Sequence, residues 1–275
     1  MSRIAAIQMT STAEVQHNLK IAAEHIQKAV DGGAKLAVLP EMFAIIGVSP
    51  DALLRVKEQY GQGPIQDFLA EQSARHNIWL VGGTIPLQGQ LPNKATAACL
   101  VFNEQGVCAA RYNKIHLFDV IAQENEVYQE SATIEPGHEI KVIDTPLGKL
   151  GLAVCYDVRF PELFKILMNK GAEIITLPSA FTVPTGSAHW EILVRARAID
   201  TFCYMVAPAQ VGTHANGRKT YGHSLIVAPG GQILAELTEK TGVISAEIER
   251  SKIQEIRHRI PVLQHQRIRI NDSIV

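Results

Sequence analysis

Cysteine is scarce in this chain, and what there is cannot build a disulfide scaffold. The 275 residues hold four, Cys99, Cys108, Cys155 and Cys203, with no CxxC pair among them. Thiols this sparse fit a reducing compartment. An excess of either charge is also missing. Lysine and arginine number 26 against 27 aspartate and glutamate, a formal net charge of −1. No basic surplus points to nucleic acid, and no charge block points to an interaction tail. No uninterrupted apolar stretch is long enough to span a membrane. The opening MSRIAAIQMTST has an apolar run too short for a signal-peptide core, and no small-residue cleavage site follows it. Histidine pairs at metal-ligand spacing are absent, and HRIPVLQHQ has no cysteine to support a site, so no metal is expected. These absences lead to the expectation of a soluble, cytoplasmic protein with neither nucleic acid nor membrane as partner, and they exclude little about small-molecule substrates.

What is present is a repeated grammar. RIAAIQM reads as a strand. A helix over residues 13–31 follows, its apolar positions Val15, Leu19, Ala22, Ile26 and Val30 recurring at helical spacing. Gly32 and Gly33 end it, and AKLAVLPE is a strand of the kind buried on both faces. Further on, KLGLAVCY is a strand, PELFKILMNK a helix opened by Pro161, and AEIITLPS the next strand. GAKLAVLP (33–40) and GAEIITLP (171–178) share Gly-Ala and Leu-Pro at the same offsets. Two such copies predict an internal pseudo-repeat within one α/β fold. Other segments fill both halves: helices at PIQDFLAEQSARHN, AHWEILVRARAIDT and RSKIQEIRHRI, strands at IWLVGGTIPL, KATAACLVFN and GVCAARYNKIHL, and a hairpin turn at PGGQ. The expected total is two β-rich layers of about six strands each with helices outside.

Three polar residues end apolar strands: Glu41, Lys114 and Cys155. In open α/β architectures ligands sit beyond the carboxyl ends of strands, so these belong on one rim if their strands are neighbours. Cys155 has two readings. It can continue the core as a small hydrophobe. It can instead be a nucleophile at a strand-to-helix turn, its thiolate favoured by the helix opening near Pro161. Tyr156, Asp157 and Arg159 crowd behind it, a density of polar groups that is costly to bury idle. Glu41 is either an ordinary loop glutamate or a partly desolvated general base. Lys114 is a surface lysine, a fixed cation for an oxyanion, or, with Arg111 and His116, part of a phosphate patch that lacks its Gly-rich cradle. A Cys–His pair drawn from His116, His189 or His223 competes with all of these. Cys99, Cys108 and Cys203 lie in apolar or strand-like runs and read as structural.

Taken together, LAVLPEMF, RYNKIHLFD and GLAVCYDVRFPE resemble the Glu, Lys and Cys motifs of the carbon–nitrogen hydrolase (nitrilase) superfamily, in that order and spacing. YQES, PSAFTVPTGSAHWEILVRARAIDTFCY and YGHSLIVAPGG extend the match across essentially the whole chain, which implies a single domain over residues 1–275. The resemblance implies a four-layer α-β-β-α sandwich with pseudo-two-fold symmetry. It makes Glu41 the base, Lys114 the oxyanion stabiliser with the Tyr156 backbone N–H, and Cys155 the nucleophile. A second glutamate falls on Glu130, with Glu124 and Glu126 as rivals because the loop VIAQENEV departs from the family's usual Pro-Gly. AIIGVSP also lacks a usual Gly-Tyr pair at the pocket lip. No cofactor is implied, and a homo-oligomer, dimer or larger, is. Within the superfamily, TGSAHWEILVRARAID and VGTHANGRKTYGHS resemble the branch acting on amides of 2-oxo dicarboxylates. They imply the 2-oxoglutaramyl amide of cysteinylglycine as substrate, with Arg159 and Thr185 as carboxylate contacts, while Arg195 and Arg197 are either further cations for it or residues that serve their helix. The rivals are 2-oxoglutaramate, a nitrile or a carbamoyl amine as substrate, or a non-enzymatic binding module that keeps the fold.

Overall fold

Two sheets built on one plan carry the molecule. The structure, a computed structural model, describes residues 2–49, 51–123, 126–268 and 274. By neighbour, the first sheet runs Gly242–Ile248, Ser2–Gln8, Leu36–Val38, Trp79–Val81, Ala95–Phe102 and Ile85–Gln88. Cys108–Asn113 and Ile134–Glu135 also pair with Ala95–Phe102, making eight strands. The second sheet runs Val142–Thr145, Gly148–Leu152, Ile174–Thr176, Tyr204–Ala207, Ser224–Val227 and Ile233–Leu237. Across the first four neighbouring pairs each sheet reads antiparallel, parallel, parallel, antiparallel.

The alternation of side chains explains how the first sheet is covered. Ile4, Ala6, Leu36 and Val38 join a core cluster that also holds Leu150, Ile174 and Val206 of the second sheet. Ala5, Ile7, Ala37 and Leu39 point the other way, into a cluster with Leu19 and Ile26 of helix α1 (Val15–Asp31) and Ile65 and Leu69 of helix α2 (Pro64–His76). This is a strand buried on both faces, as its unbroken apolar run predicts. Helices α3 (Pro161–Asn169) and α4 (Val183–Thr201) pack their buried Phe164, Leu167, Trp190 and Val194 into the cluster of the second sheet. The fold is α/β, and a four-layer sandwich fits these two clusters.

The repeat is visible in backbone hydrogen bonds. Gly33 and Gly171 close their helices at φ +83 and +92, conformations that glycine adopts without the cost of a Cβ. The N–H of Ala34 donates to Ala29 and that of Ala172 to Leu167, both at 3.0 Å. The N–H of Leu39 reaches Val81 at 2.9 Å, and that of Leu177 reaches Val206 at 2.8 Å.

Several expected strands are shorter than their apolar runs. KLGLAVCY pairs only through Leu152, and Cys155–Arg159 turns into a short 3-10 segment. AKLAVLPE pairs only over Leu36–Val38. IWLVGGTIPL breaks into two strands at Gly82-Gly83. The break has a packing cause: Gly83 has φ +52, and a Cβ there would sit 2.0 Å from the Pro40 carbonyl oxygen. The chain passes this close because the Thr84 hydroxyl accepts the Met42 N–H at 2.8 Å, holding the peptide just past Glu41. Of the three cysteines read as structural, Cys99 and Cys203 are fully buried and Cys108 only half-buried. The tail beyond Ile268 lies almost wholly outside the described residues.

Candidate active site

Strand ends bring the three residues together. Glu41 follows Leu36–Val38, Lys114 follows Cys108–Asn113, and Cys155 follows Gly148–Leu152 on the facing sheet. All three are buried, at 4%, 2% and 5% exposure. Lys114 Nζ donates to Glu41 Oε1 and to Glu130 Oε2, each at 2.8 Å. Glu130 Oε2 also accepts the Phe118 N–H at 2.7 Å, which fixes the carboxylate. The Cys155 thiol lies close enough to Glu41, Lys114 and the Ala180 backbone for all three to act on its ionisation. Of the three glutamates weighed for the second position, Glu130 is the one on Lys114; Glu124 and the Glu126 side chain lie outside the described residues.

Cys155 occupies an uncommon backbone conformation, φ +47, outside any regular strand. Its N–H donates to the Pro178 carbonyl at 2.9 Å, which holds the turn. A non-glycine residue there costs on the order of 1–3 kcal/mol and persists only when its surroundings enforce it. The enforcing group is Asp157, which has no exposure. Its Oδ2 accepts from the Val154 N–H and the Tyr112 hydroxyl, both at 2.7 Å. Its Oδ1 accepts from the His116 N–H at 3.2 Å and lies 2.7 Å from His116 Nδ1. One carboxylate thus ties the Cys155 turn to residues two before and two after Lys114.

The electrostatics correct one expectation. Burial, then the nearby Glu41 carboxylate, pushes the Cys155 thiol well above its ordinary range, against the pull of Lys114 and the Ala180 backbone. The resting sulfur at neutral pH is therefore a thiol, not a thiolate favoured by the helix at Pro161. That helix begins six residues later, and its dipole fades within a turn. For Lys114, burial lowers the pKa, but Glu130 and Glu41 outweigh it and hold the group well above the usual range, as an ammonium.

A cavity of about 260 Å³ opens over this trio. Its walls include Ile45, Phe118, Tyr128, Tyr156 and Phe181, with Thr185 and Arg218 among its polar lining. Tyr156 and Thr185 both line it, and Thr185 Oγ1 is 2.8 Å from Thr182 Oγ1. Arg159 does not reach the lining. Its guanidinium lies 5.5 Å from the Phe181 ring centroid and 5.9 Å from that of Tyr156, with Nη2 3.4 Å from His189 Nδ1. Arg195 and Arg197 make structural contacts: Arg195 pairs with Glu191 and donates to the Gly231 carbonyl, and Arg197 pairs with Asp200 and donates to the Val158 carbonyl. No histidine is among the described lining residues: His116 serves Asp157, and His223 faces Glu236 at 2.9 Å. Arg111 turns away to Asn113 and Thr96. Among the described residues no group of three His, Cys, Asp or Glu side chains could hold a metal ion. Among the described residues no helix is long and apolar enough to cross a membrane. Arg218 escaped sequence reading. It sits on a hairpin between Val211–Thr213 and Lys219–Tyr221, and no strand-end pattern marks it.

Fold and site belong with the enzymes of the nitrilase superfamily. The family model for carbon–nitrogen hydrolases matches residues 3–258. The chain is 39% identical to the deaminated glutathione amidase of Yersinia enterocolitica, over 99% of this chain and 97% of that one. It is 42% identical to that of Homo sapiens, over 96% and 82%. A Saccharomyces cerevisiae crystal structure, a member of branch 10 of the nitrilase superfamily, matches with a TM-score of 0.87 at 33% identity, covering 97% of both chains. An amidase from Nesterenkonia sp. AN1, seen after Michael addition of acrylamide at its active-site cysteine, matches with a TM-score of 0.77 at 25% identity, over 96% of this chain and 100% of that one. The chain belongs to the carbon–nitrogen hydrolase family. It is an amidase, an enzyme that cleaves C–N bonds.

Proposed function

We propose that this amidase hydrolyses deaminated glutathione, the 2-oxoglutaramyl amide of cysteinylglycine, to 2-oxoglutarate and the dipeptide. The reading follows the relatives that carry that name. In it, Cys155 is the nucleophile, Glu41 the base, Lys114 the oxyanion cation and Glu130 its support. The observation that carries these roles is the buried ammonium shared at 2.8 Å by Glu41 and Glu130, with the sulfur against Glu41.

The resting sulfur keeps its proton, so attack requires a base: Glu41 takes the thiol proton and sulfur bonds to the amide carbon. The carbonyl oxygen gains charge against Lys114 Nζ and the Tyr156 N–H. Donors fixed in a buried site need no rearrangement at that moment. Glu41 returns the proton to the leaving nitrogen, and cysteinylglycine departs from a thioester. Water then gives its proton to Glu41 and attacks the thioester carbon, releasing 2-oxoglutarate and the thiol. Protein groups suffice for every step. Thr185 lines the path of the acyl carboxylate, and Arg159 adds positive potential from behind Phe181 and Tyr156.

The whole chain works in this reading as one domain, in the cytoplasm and as a homo-oligomer. The substrate is tested by offering the purified protein the dipeptide amide and 2-oxoglutaramate in parallel. Higher kcat/KM for 2-oxoglutarate release from the dipeptide amide is expected. Faster ammonia release from 2-oxoglutaramate would replace this substrate with the smaller one.

A further inference from the structure

The floor of the cavity poses a charge problem. Two carboxylates, Glu41 and Glu130, flank one ammonium, Lys114, so the trio carries net negative charge. A substrate bearing carboxylates is repelled there unless a cation on the wall compensates. Among the described lining residues, Arg218 is the cation besides Lys114. Its contacts are neutral: Nη2 donates to the Ala180 carbonyl, and Cζ lies 5.1 Å from the Tyr128 ring centroid. Its Nε is buried and meets no acceptor among the described residues. A buried donor left without an acceptor is costly, and the guanidinium fork matches a carboxylate with parallel N–H groups.

The placement is prepared rather than incidental. Ala180, whose carbonyl accepts from Arg218, also has its backbone near enough to the Cys155 thiol to act on it, so one residue links the guanidinium to the surroundings of the nucleophile. The hairpin carrying Arg218 is fastened at both ends. His214 lies 2.9 Å from the Ser11 carbonyl through Nδ1 and 2.7 Å from Thr220 Oγ1 through Nε2. The Tyr221 N–H donates to the Phe181 carbonyl at 2.9 Å. Arg159, by contrast, is separated from the cavity by two rings.

We propose that Arg218 is a specificity residue that binds a carboxylate of the substrate directly. The proposal rests on the reading of the substrate as a dicarboxylate-derived amide, and its test separates the two. Wild type, Arg218→Met and Arg218→Lys are assayed on the dipeptide amide and on neutral butyramide, and glutarate binding to each is measured by calorimetry. In Arg218→Met, KM for the dipeptide amide rises by about tenfold or more beyond any change on butyramide, with Arg218→Lys in between, because ammonium keeps the charge but loses the fork. Glutarate affinity falls in the same order. Equal losses on both amides would assign Arg218 a structural role and overturn the proposal. Unchanged glutarate affinity in Arg218→Met, or no glutarate binding to wild type, would also overturn it. Failure of wild type to cleave the dipeptide amide would remove the substrate reading, while glutarate would still decide Arg218.

Discussion

The two halves of the molecule share a backbone and differ in what they hang on it. In each, a strand, a helix closed by Gly-Ala and a second strand ending in Leu-Pro repeat with the same hydrogen bonds. The registers pair Ile4 with Leu36 and Leu150 with Ile174, so Met9 stands in the first half where Cys155 stands in the second. By the same count, Ser179 stands where Glu41 does. Met9 and Ser179 are buried and inert: one is core, and the other's hydroxyl donates to the Leu177 carbonyl at 2.9 Å. Each half thus supplies one member of the proposed reacting pair, from a different strand end. The backbone repeat fixes where such groups can stand. Which address is used depends on single side chains that the repeat does not constrain.

The largest expected effect contrasts the two equivalent positions. Cys155→Ala lowers kcat by about 10⁴ or more, since removing one member of such a unit costs nearly as much as removing all of it, and leaves the melting temperature nearly unchanged. Met9→Ala shows the opposite pattern: about 2–5 kcal/mol of stability lost to a core cavity, with kcat of the folded fraction little altered. Steady-state kinetics beside thermal melts tells these apart.

Lys114→Met affects both properties. It strands the buried Glu41 carboxylate without its cation and costs about 3–5 kcal/mol in denaturant melts. It also removes an oxyanion donor, worth about 10²–10³ in kcat. Gly83→Ala follows, with about 1–3 kcal/mol lost and a lower kcat, because the added Cβ displaces the Pro40 carbonyl and the glutamate beside it.

The smallest effect is a pH slope. An unfolded thiol ionises near its ordinary value of 9.0, while burial keeps folded Cys155 protonated well above that. Above pH 9 the unfolded state therefore releases a proton that the folded state retains, and stability falls as pH rises. The full contribution is present below pH 9 and is lost as pH climbs toward the folded value. Each such thiol adds a slope of at most about 1.4 kcal/mol per pH unit. Cys99 shares this behaviour, so urea melts of Cys155→Ser between pH 8.5 and 10.5 show a shallower slope than wild type, not a flat one.

Most of the frame was legible because apolar periodicity and the Gly-Ala and Leu-Pro repeat are local signals. The trio was legible because each member ends such an apolar run. Strand ends were less so: Gly83 breaks its strand for a contact with Pro40, distant in sequence, and the run to Cys155 stops early because Asp157 captures the Val154 N–H. The weight of the helix dipole was not legible, since nothing near Cys155 in sequence shows that Glu41 and burial outweigh it. Arg218 stayed hidden because its relevance depends on how a hairpin folds over the cavity.

In the proposed mechanism every amide of one acid forms the same thioester on Cys155. Partitioning with hydroxylamine tests it directly. The dipeptide amide and 2-oxoglutaramate share their acyl group, so both should give the same ratio of hydroxamate to acid at a fixed hydroxylamine concentration. A ratio that changes with the leaving amine would contradict the account.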